Sequence, residues 1–277
     1  MDYIPFLINL FDQIDVLFLI MVRVFAFLMF LPVLSGMAIP MQVRLFLAVV
    51  VSAAVFSSGI VTQVTFVDSV AGIFVLMLTE FMAGAIMGFV LFFVFNTLLF
   101  AGQFMDFSMG FAMVNVLDPI QQIQVPIIGN VMFMTMSALL IATGGIHHFM
   151  AMFFHSYTLV PMGAAYILGN APLAFYLGTA LVGFVLLAIR IALPIVGTMF
   201  IIDVCLGVMV KSVPSMNVFV VGMPVKVLVG LILVFSIIIP NFGLIFDNVF
   251  DRAFYSLVEV IERMAIDANA NYTYEVE

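Results

Sequence analysis

Charged residues are scarce in this sequence. Only 8% of its 277 residues are Asp, Glu, Lys or Arg, whereas 66% are hydrophobic and the mean hydropathy is +1.36. A soluble domain usually has about 25% charged residues. The composition therefore excludes an ordinary soluble protein and predicts an integral membrane protein.

Basic residues are rarer still, with seven Lys and Arg against fifteen Asp and Glu and a net charge of −8. So few cations cannot form the basic surface that neutralises a phosphate backbone, which excludes nucleic acid as a partner. Each loop holds at most one or two Lys or Arg, so the positive-inside rule does not assign the sides of the membrane on which the termini lie.

Thiols and catalytic fingerprints are also lacking. The single cysteine, Cys205, lies within an apolar run, which excludes an intrachain disulfide and a site of several thiolates. His147, His148 and His155 lie far in sequence from any carboxylate, so we expect no metal site. No nucleophile elbow, HExxH or Walker A motif is present. We therefore expect neither an enzyme nor a cofactor.

Six long apolar runs dominate the chain, at about residues 14–34, 43–61, 70–100, 126–142, 172–210 and 218–239. About 20 residues of helix cross a bilayer. The third run is longer than that, so it is either one projecting helix or two segments bent at Gly84 and Gly88. In the fifth run, Pro194 predicts a kink or a helical hairpin.

The predicted fold is thus an all-α integral membrane protein with about six long hydrophobic helices, some kinked or hairpin-like. After Phe242, charges alternate with apolar residues, which predicts an amphipathic C-terminal helix. We expect one membrane-embedded unit over residues 1–266 and a polar tail over residues 267–277. About 183 residues are apolar, whereas six spans would use only about 120. This surplus predicts extensive burial against other protein.

Five charged residues interrupt the apolar runs: Arg23, Glu80, Arg190, Asp203 and Lys226. An ionised side chain in hydrocarbon is costly, so these residues must face protein or water. They could form a proton or ion path, or they could pair between helices or subunits. We favour pairing because only Glu80 and Asp203 could relay protons. The spacing of Gly84 and Gly88 favours close helix packing.

A longer pattern lies before the last apolar run, in Lys211-Ser-Val-Pro-Ser-Met-Asn-Val-Phe-Val-Val-Gly-Met-Pro-Val-Lys226. It resembles the signature of the FliR family of flagellar biosynthesis membrane proteins and their counterparts in type III secretion systems. Other pieces agree in order: Arg23 with Pro32 and Pro40, Glu80 with Gly84 and Gly88, Gly110 before Asp118-Pro119, Gly144-Gly145 with His147, and Arg190 with Pro194. The resemblance covers about residues 15–250.

The resemblance implies a non-catalytic subunit of the flagellar export gate in the bacterial cytoplasmic (inner) membrane, within the flagellar basal body. In that family the subunit joins several copies of FliP and FliQ around a pore for unfolded export substrates. FlhB and FlhA homologues and membrane lipid are further expected partners. The implied fold joins a FliP-like part to a FliQ-like part.

The segment after the third apolar run forms a plug in the pore of that family, and it corresponds here to residues 110–126. A hydrophobic constriction suits a pore that passes polypeptide but retains ions. A glycine permits a sharp bend at the start of such a segment. By the resemblance, the plug residues are Gly110, Met113, Val116, Asp118 and Pro119, with Met113 and Val116 pointing into the channel.

Two alternatives stay open at the level of sequence. The first is a small-solute or ion transporter that works without FliP and FliQ, with Glu80, Arg190 and Asp203 near the membrane midplane. The second is a structural scaffold whose 110–126 segment never touches the exported substrate.

Overall fold

The computed structural model describes residues 3–31, 39–61, 70–111, 126–163, 167, 170–212 and 218–272. Within these ranges the helices are α1 (Tyr3–Phe30), α2 (Met41–Ser57), α3 (Val70–Met109), α4 (Ile127–Ala142), α5 (Gly145–Leu159), α6 (Ala171–Ser212), α7 (Val218–Leu233) and α8 (Phe242–Tyr272). A π-helical turn, Val234–Ile238, follows α7. The predicted all-α membrane fold is confirmed. One further helix, α5, arises because the half-polar stretch around the histidines is helical too. α8 is the predicted C-terminal helix.

The two longest runs each form one unbroken helix. α3 has 40 residues and α6 has 42, which correspond to about 60 and 63 Å of helix. α3 continues through Gly84 and Gly88, so the chain adopts the first of the two alternatives for the third run. α6 continues through Pro194, and no hairpin forms there. Proline removes only one helical hydrogen bond, which a long helix can tolerate.

Membrane-spanning capacity is concentrated in these two helices. In the described part of the chain, Ala71–Met109 and Ala171–Ser212 are long and apolar enough to cross a bilayer on their own. Two helix pairs, each broken at a short turn, pass the same test together: Ile127–Ala142 with Gly145–Leu159, and Gly222–Ile238 with Phe242–Ala265. By length and composition, the described helices therefore provide two to four candidate spans.

Proline and glycine set several helix boundaries. Pro40 directly precedes α2 and Pro126 directly precedes α4. Gly144 separates α4 from α5 with a φ of +71°, a left-handed conformation that glycine adopts without steric cost. These three residues, at the limits of the apolar runs, thus coincide with helix boundaries.

The chain forms two compact units. The first comprises Met1–Phe93, Gly144–Ala180 and Arg252–Glu277, and the second comprises Val94–Thr143 and Leu181–Asp251. In the first unit α1 packs against α2, and the rings of Phe27 and Phe153 stack with centroids 4.3 Å apart. The core of the second unit is rich in buried methionines: Met105, Met109, Met132, Met136 and Met199.

Candidate functional site

The first unit contains a buried charged cluster centred on Arg23 of α1 and Glu80 of α3. Arg23 Nε lies 2.5 Å from Glu80 Oε2, and both side chains are at most 1% exposed. Arg23 Nη1 donates to the carbonyl oxygen of Val160 at 3.2 Å, and Glu80 Oε1 accepts from the amide of Gly163 at 2.9 Å. The pair therefore joins α1 and α3 to the turn that follows α5.

An aromatic ring completes this cluster. The guanidinium carbon of Arg23 lies 4.5 Å from the ring centroid of Tyr157 on α5, in a cation–π contact. The Tyr157 hydroxyl donates to the carbonyl oxygen of Ile20 at 3.4 Å. Within this cluster, Arg23 Nη2 has no hydrogen-bond acceptor among the described residues. Because buried charges are tolerated only with partners, this cluster strongly favours one arrangement of α1, α3 and α5.

Two glycines bring α3 against α1. Residues 80, 84 and 88 are four apart and share a helix face. A side chain at Gly84 would collide with the carbonyl oxygen of Arg23. A Cβ at Gly88 would lie 2.7 Å from the carbonyl oxygen of Phe27. The glycines thus allow the backbone contact that brings Glu80 to Arg23.

In the second unit, the described residues at both ends of segment 110–126 are fixed. α3 ends at Met109, and Gly110 has a φ of +90°, which favours glycine. The carboxylate of Asp106 accepts from the Ile128 amide, with nitrogen–oxygen distances of 3.2 and 3.1 Å. A carboxylate at a helix N-terminus satisfies free amides and complements the helix dipole. Asp106 therefore ties the end of α3 to the start of α4.

Close backbone packing reinforces this connection. A Cβ at Gly102 of α3 would collide with the backbone of Gly129 in α4. A Cβ at Gly129 would lie 2.8 Å from the carbonyl oxygen of Leu99. The base of segment 110–126, defined here as Gly102, Asp106, Gly110, Ile128 and Gly129, is therefore closed by helix packing and by a cap.

An apolar groove adjoins this base within the second unit. Its volume is about 1020 Å³, and Gly110 and Phe111 form one wall. The opposite wall comes from α7 and the π-helical turn, including Met223, Val227, Leu231 and Phe235. A surface of this composition is suited to apolar side chains or lipid.

The remaining predicted charges lie on or near α6. Asp203 Oδ1 is 2.6 Å from Lys226 Nζ of α7, with side chains 51% and 17% exposed. Arg190 lies on an exposed part of α6. Four predicted plug residues, Met113, Val116, Asp118 and Pro119, lie outside the described residues. Among the described residues, no group of His, Cys, Asp and Glu is arranged to hold a metal ion.

Sequence reasoning missed three contributors to these sites: Asp106, Tyr157 and the Gly102–Gly129 contact. Asp106 lies four residues before the glycine that ends α3, and Pro126 marks the start of α4. Those positions identify a helix end and a helix start, but pairing them requires knowledge that α3 and α4 are neighbours. Tyr157 gave no signal in sequence because its role depends on the fold.

Comparison with known proteins identifies the family. Residues 14–253 match a family described as "Bacterial export proteins, family 1". The chain belongs to this export family. The match includes Arg23, Glu80, Asp106 and Lys226, so it contains residues of both units.

Among similar export-family members are two flagellar proteins and one translocation protein. The flagellar biosynthetic protein FliR of Bacillus subtilis is 26% identical over 227 residues, covering 81% of this chain and 86% of that protein. That of Escherichia coli is 24% identical over 248 residues, covering 89% and 92%. The Yop proteins translocation protein T of Yersinia pestis is 28% identical over 211 residues, covering 75% and 80%. The FliR resemblance found in the sequence is confirmed.

Proposed function

We propose that this protein is a non-catalytic pore subunit of the flagellar type III export gate in the bacterial inner membrane. It helps to form and seal the channel through which unfolded flagellar proteins pass. Membership of the export family and similarity to flagellar FliR proteins support this proposal. A relative named as a Yop translocation protein points to the same class of transport.

The observation that carries the proposal is the closed base of segment 110–126. Asp106 and the Gly102–Gly129 contact hold the end of α3 beside the start of α4. A fixed base would hold such a plug in place at the channel. A plug that yields to polypeptide and then reseals requires this property.

Sealing is assigned to the apolar residues of that segment. Met113 and Val116 would narrow the channel, because an apolar constriction excludes water and ions without a rigid gate. Gly110 supplies the bend at the start of the segment. Asp118-Pro119 would end it before α4.

The buried charges support a structural role better than a proton path. Glu80 is paired with Arg23 and also accepts from the amide of Gly163, and Asp203 is paired with Lys226. A relay requires acids that exchange protons in series. Because these two acids pair with basic residues, we assign them to contacts between helices.

Assembly with FliP and FliQ homologues would cover the apolar surface that this chain leaves open. In the most apolar 18-residue stretch of α6, only 28% of the residues are buried. In the corresponding stretch of α3, 56% are buried. We infer that both compact units belong to one subunit, residues 1–266, followed by the polar tail 267–277. FlhB and FlhA homologues are the expected neighbours of the assembled gate.

Co-purification tests the proposal. The chain is expressed with and without the FliP and FliQ homologues from the same genome, and the complexes are analysed by native mass spectrometry. We expect one stable hetero-oligomer that contains all three proteins. Recovery of this chain only as a separate monomer, or solute uptake by vesicles that contain it alone, would contradict the proposal.

A further inference from the structure

Arg190 differs from the other cations that interrupt the apolar runs. Arg23 and Lys226 each pair with a carboxylate of this chain. No carboxylate of a described residue forms an ion pair with Arg190. Arg190 is exposed on α6. Its charge therefore requires a partner from outside the described chain or contact with water.

Arg190 lies near the middle of α6, so a bilayer centred on this helix would enclose it. A bilayer takes up about 20 residues of helix, and any such stretch of α6 that starts before Ile191 contains Arg190. Uncharged residues flank it from Ala171 to Ile189 and from Ile191 to Ile202. Arginine at membrane depth is costly unless another polar group pairs with it.

The surface around Arg190 is a continuous apolar stripe. Residues three or four apart along a helix share one face, and on this face the neighbours of Arg190 are Leu186, Leu193, Gly197, Ile201, Val204 and Val208. The five large side chains are 49% to 62% exposed. A Cβ at Gly197 would meet no atom within 4 Å, so another helix could approach closely there. We call this set, with Arg190, the α6 face.

A second polar group lies at the same place. Pro194 has no N–H, so it cannot donate to the carbonyl oxygen of Arg190, which is its usual helical partner. The α6 face therefore presents a cation and a carbonyl oxygen without its usual donor within one turn of helix. The remainder of the face is apolar.

We propose that the α6 face binds an apolar helix of another membrane subunit, and that an Asp or Glu of this helix pairs with Arg190. The apolar stripe fits an apolar helix, and the single positive charge is complemented by a single carboxylate. Buried pairs of this kind determine register and orientation more than affinity. This proposal rests on the proposed function, because the partner helix belongs to another subunit of the proposed gate.

The test compares charge variants in the co-purified complex. Wild type, Arg190→Glu and Arg190→Lys are each tagged and expressed with the FliP and FliQ homologues. The amounts of the two homologues that co-purify with each tagged chain are quantified. Arg252→Glu, the same charge change at an exposed residue of α8, is the control. Arg190→Glu is expected to lower recovery about tenfold or more, equivalent to ~1.4 kcal/mol. Arg190→Lys and Arg252→Glu are expected to keep most of the wild-type recovery of the partner proteins.

The outcomes separate this inference from the proposed function. Failure of the wild-type chain to co-purify contradicts the proposed function. If the wild type assembles, equal recovery of Arg190→Glu overturns the α6 interface alone. Equal losses in Arg190→Glu and Arg252→Glu also overturn it, because the effect is then not specific to this face.

Crosslinking covers the case in which Arg190→Glu fails to fold. A photoreactive phenylalanine analogue replaces Leu193 in an otherwise wild-type chain, and the adduct is mapped by mass spectrometry. The expected product is a peptide of an apolar helix of another subunit that contains Asp or Glu. An adduct with lipid, with a second copy of this chain, or with a helix that lacks an acid overturns the proposal.

Discussion

Individual buried polar residues determine how the helices of this protein meet. The Arg23–Glu80 pair is almost completely enclosed, whereas the side chains of the Arg263–Glu259 pair on α8 are 34% and 41% exposed. The two pairs have similar geometry but different surroundings. Loss of one partner leaves a buried charge in the first case and a solvated charge in the second.

The first prediction uses this contrast. Glu80→Ala leaves Arg23 charged and without its carboxylate, so we expect the free energy of unfolding to fall by about 3–5 kcal/mol. Glu259→Ala removes an exposed pair and is expected to cost about 0–1 kcal/mol. Denaturant titration of the purified chain in detergent measures both. Similar losses in the two variants would contradict the account of the Arg23 cluster.

Asp106 provides a second prediction at the same scale. Asp106→Ala removes the acceptor for the Ile128 amide, so opening of the first turn of α4 should become easier by about 0.5–2 kcal/mol. Hydrogen exchange of the α4 amides measures this directly. Asp247→Ala, at an exposed site of α8, is the control and should leave α4 exchange unchanged. Unchanged α4 exchange in Asp106→Ala would disprove the cap.

The helices themselves could largely be predicted from sequence, and their contacts could not. Apolar run lengths gave the positions of α3 and α6, and Pro40, Pro126 and Gly144 marked real boundaries. The two long runs were ambiguous because hydropathy does not reveal whether a glycine or proline bends a helix. Gly84 was noted for its spacing, whereas Gly102 and Gly129 lie on different helices with no shared pattern. Such contacts depend on tertiary neighbours.

Glycine packing between helices gives a third prediction. Gly102→Ala places a methyl group against the backbone of Gly129, which cannot move aside as a flexible side chain would. We expect a loss of about 1–3 kcal/mol in the free energy of unfolding, typical of overpacking. Gly183→Ala in α6 meets no atom within 4 Å, and it should be neutral or stabilising by about 0.5–1 kcal/mol. Equal effects would exclude a tight α3–α4 contact.

At the scale of the whole molecule, the surplus of apolar residues has a structural counterpart. Large apolar side chains are exposed along α2, α3, α6 and the π-helical turn, for example Phe46, Phe74, Phe175, Phe200 and Phe235. Lipid can cover some of this surface. Partner subunits would cover the rest in the proposed gate, and a chain made without them and without detergent should aggregate.

Ion retention tests the sealing role of the assembled gate. Replacing Met113 and Val116 together by Ala widens the apolar constriction, so ion conductance through the assembled complex should rise. The matched control replaces Val131 and Met134 by Ala, since these residues have the same spacing and are exposed on α4. Conductance is measured in planar bilayers. Equal conductance in the two double variants would remove Met113 and Val116 from the seal.

The most direct test of the central claim is contact between segment 110–126 and an exported polypeptide. A photoreactive residue is placed at Met113 or Val116 in a gate that holds a stalled export substrate, with Phe175, exposed on α6, as the control position. The account predicts substrate adducts from Met113 and Val116 and none from Phe175. A gate that still exports but gives no adduct from either position would contradict it.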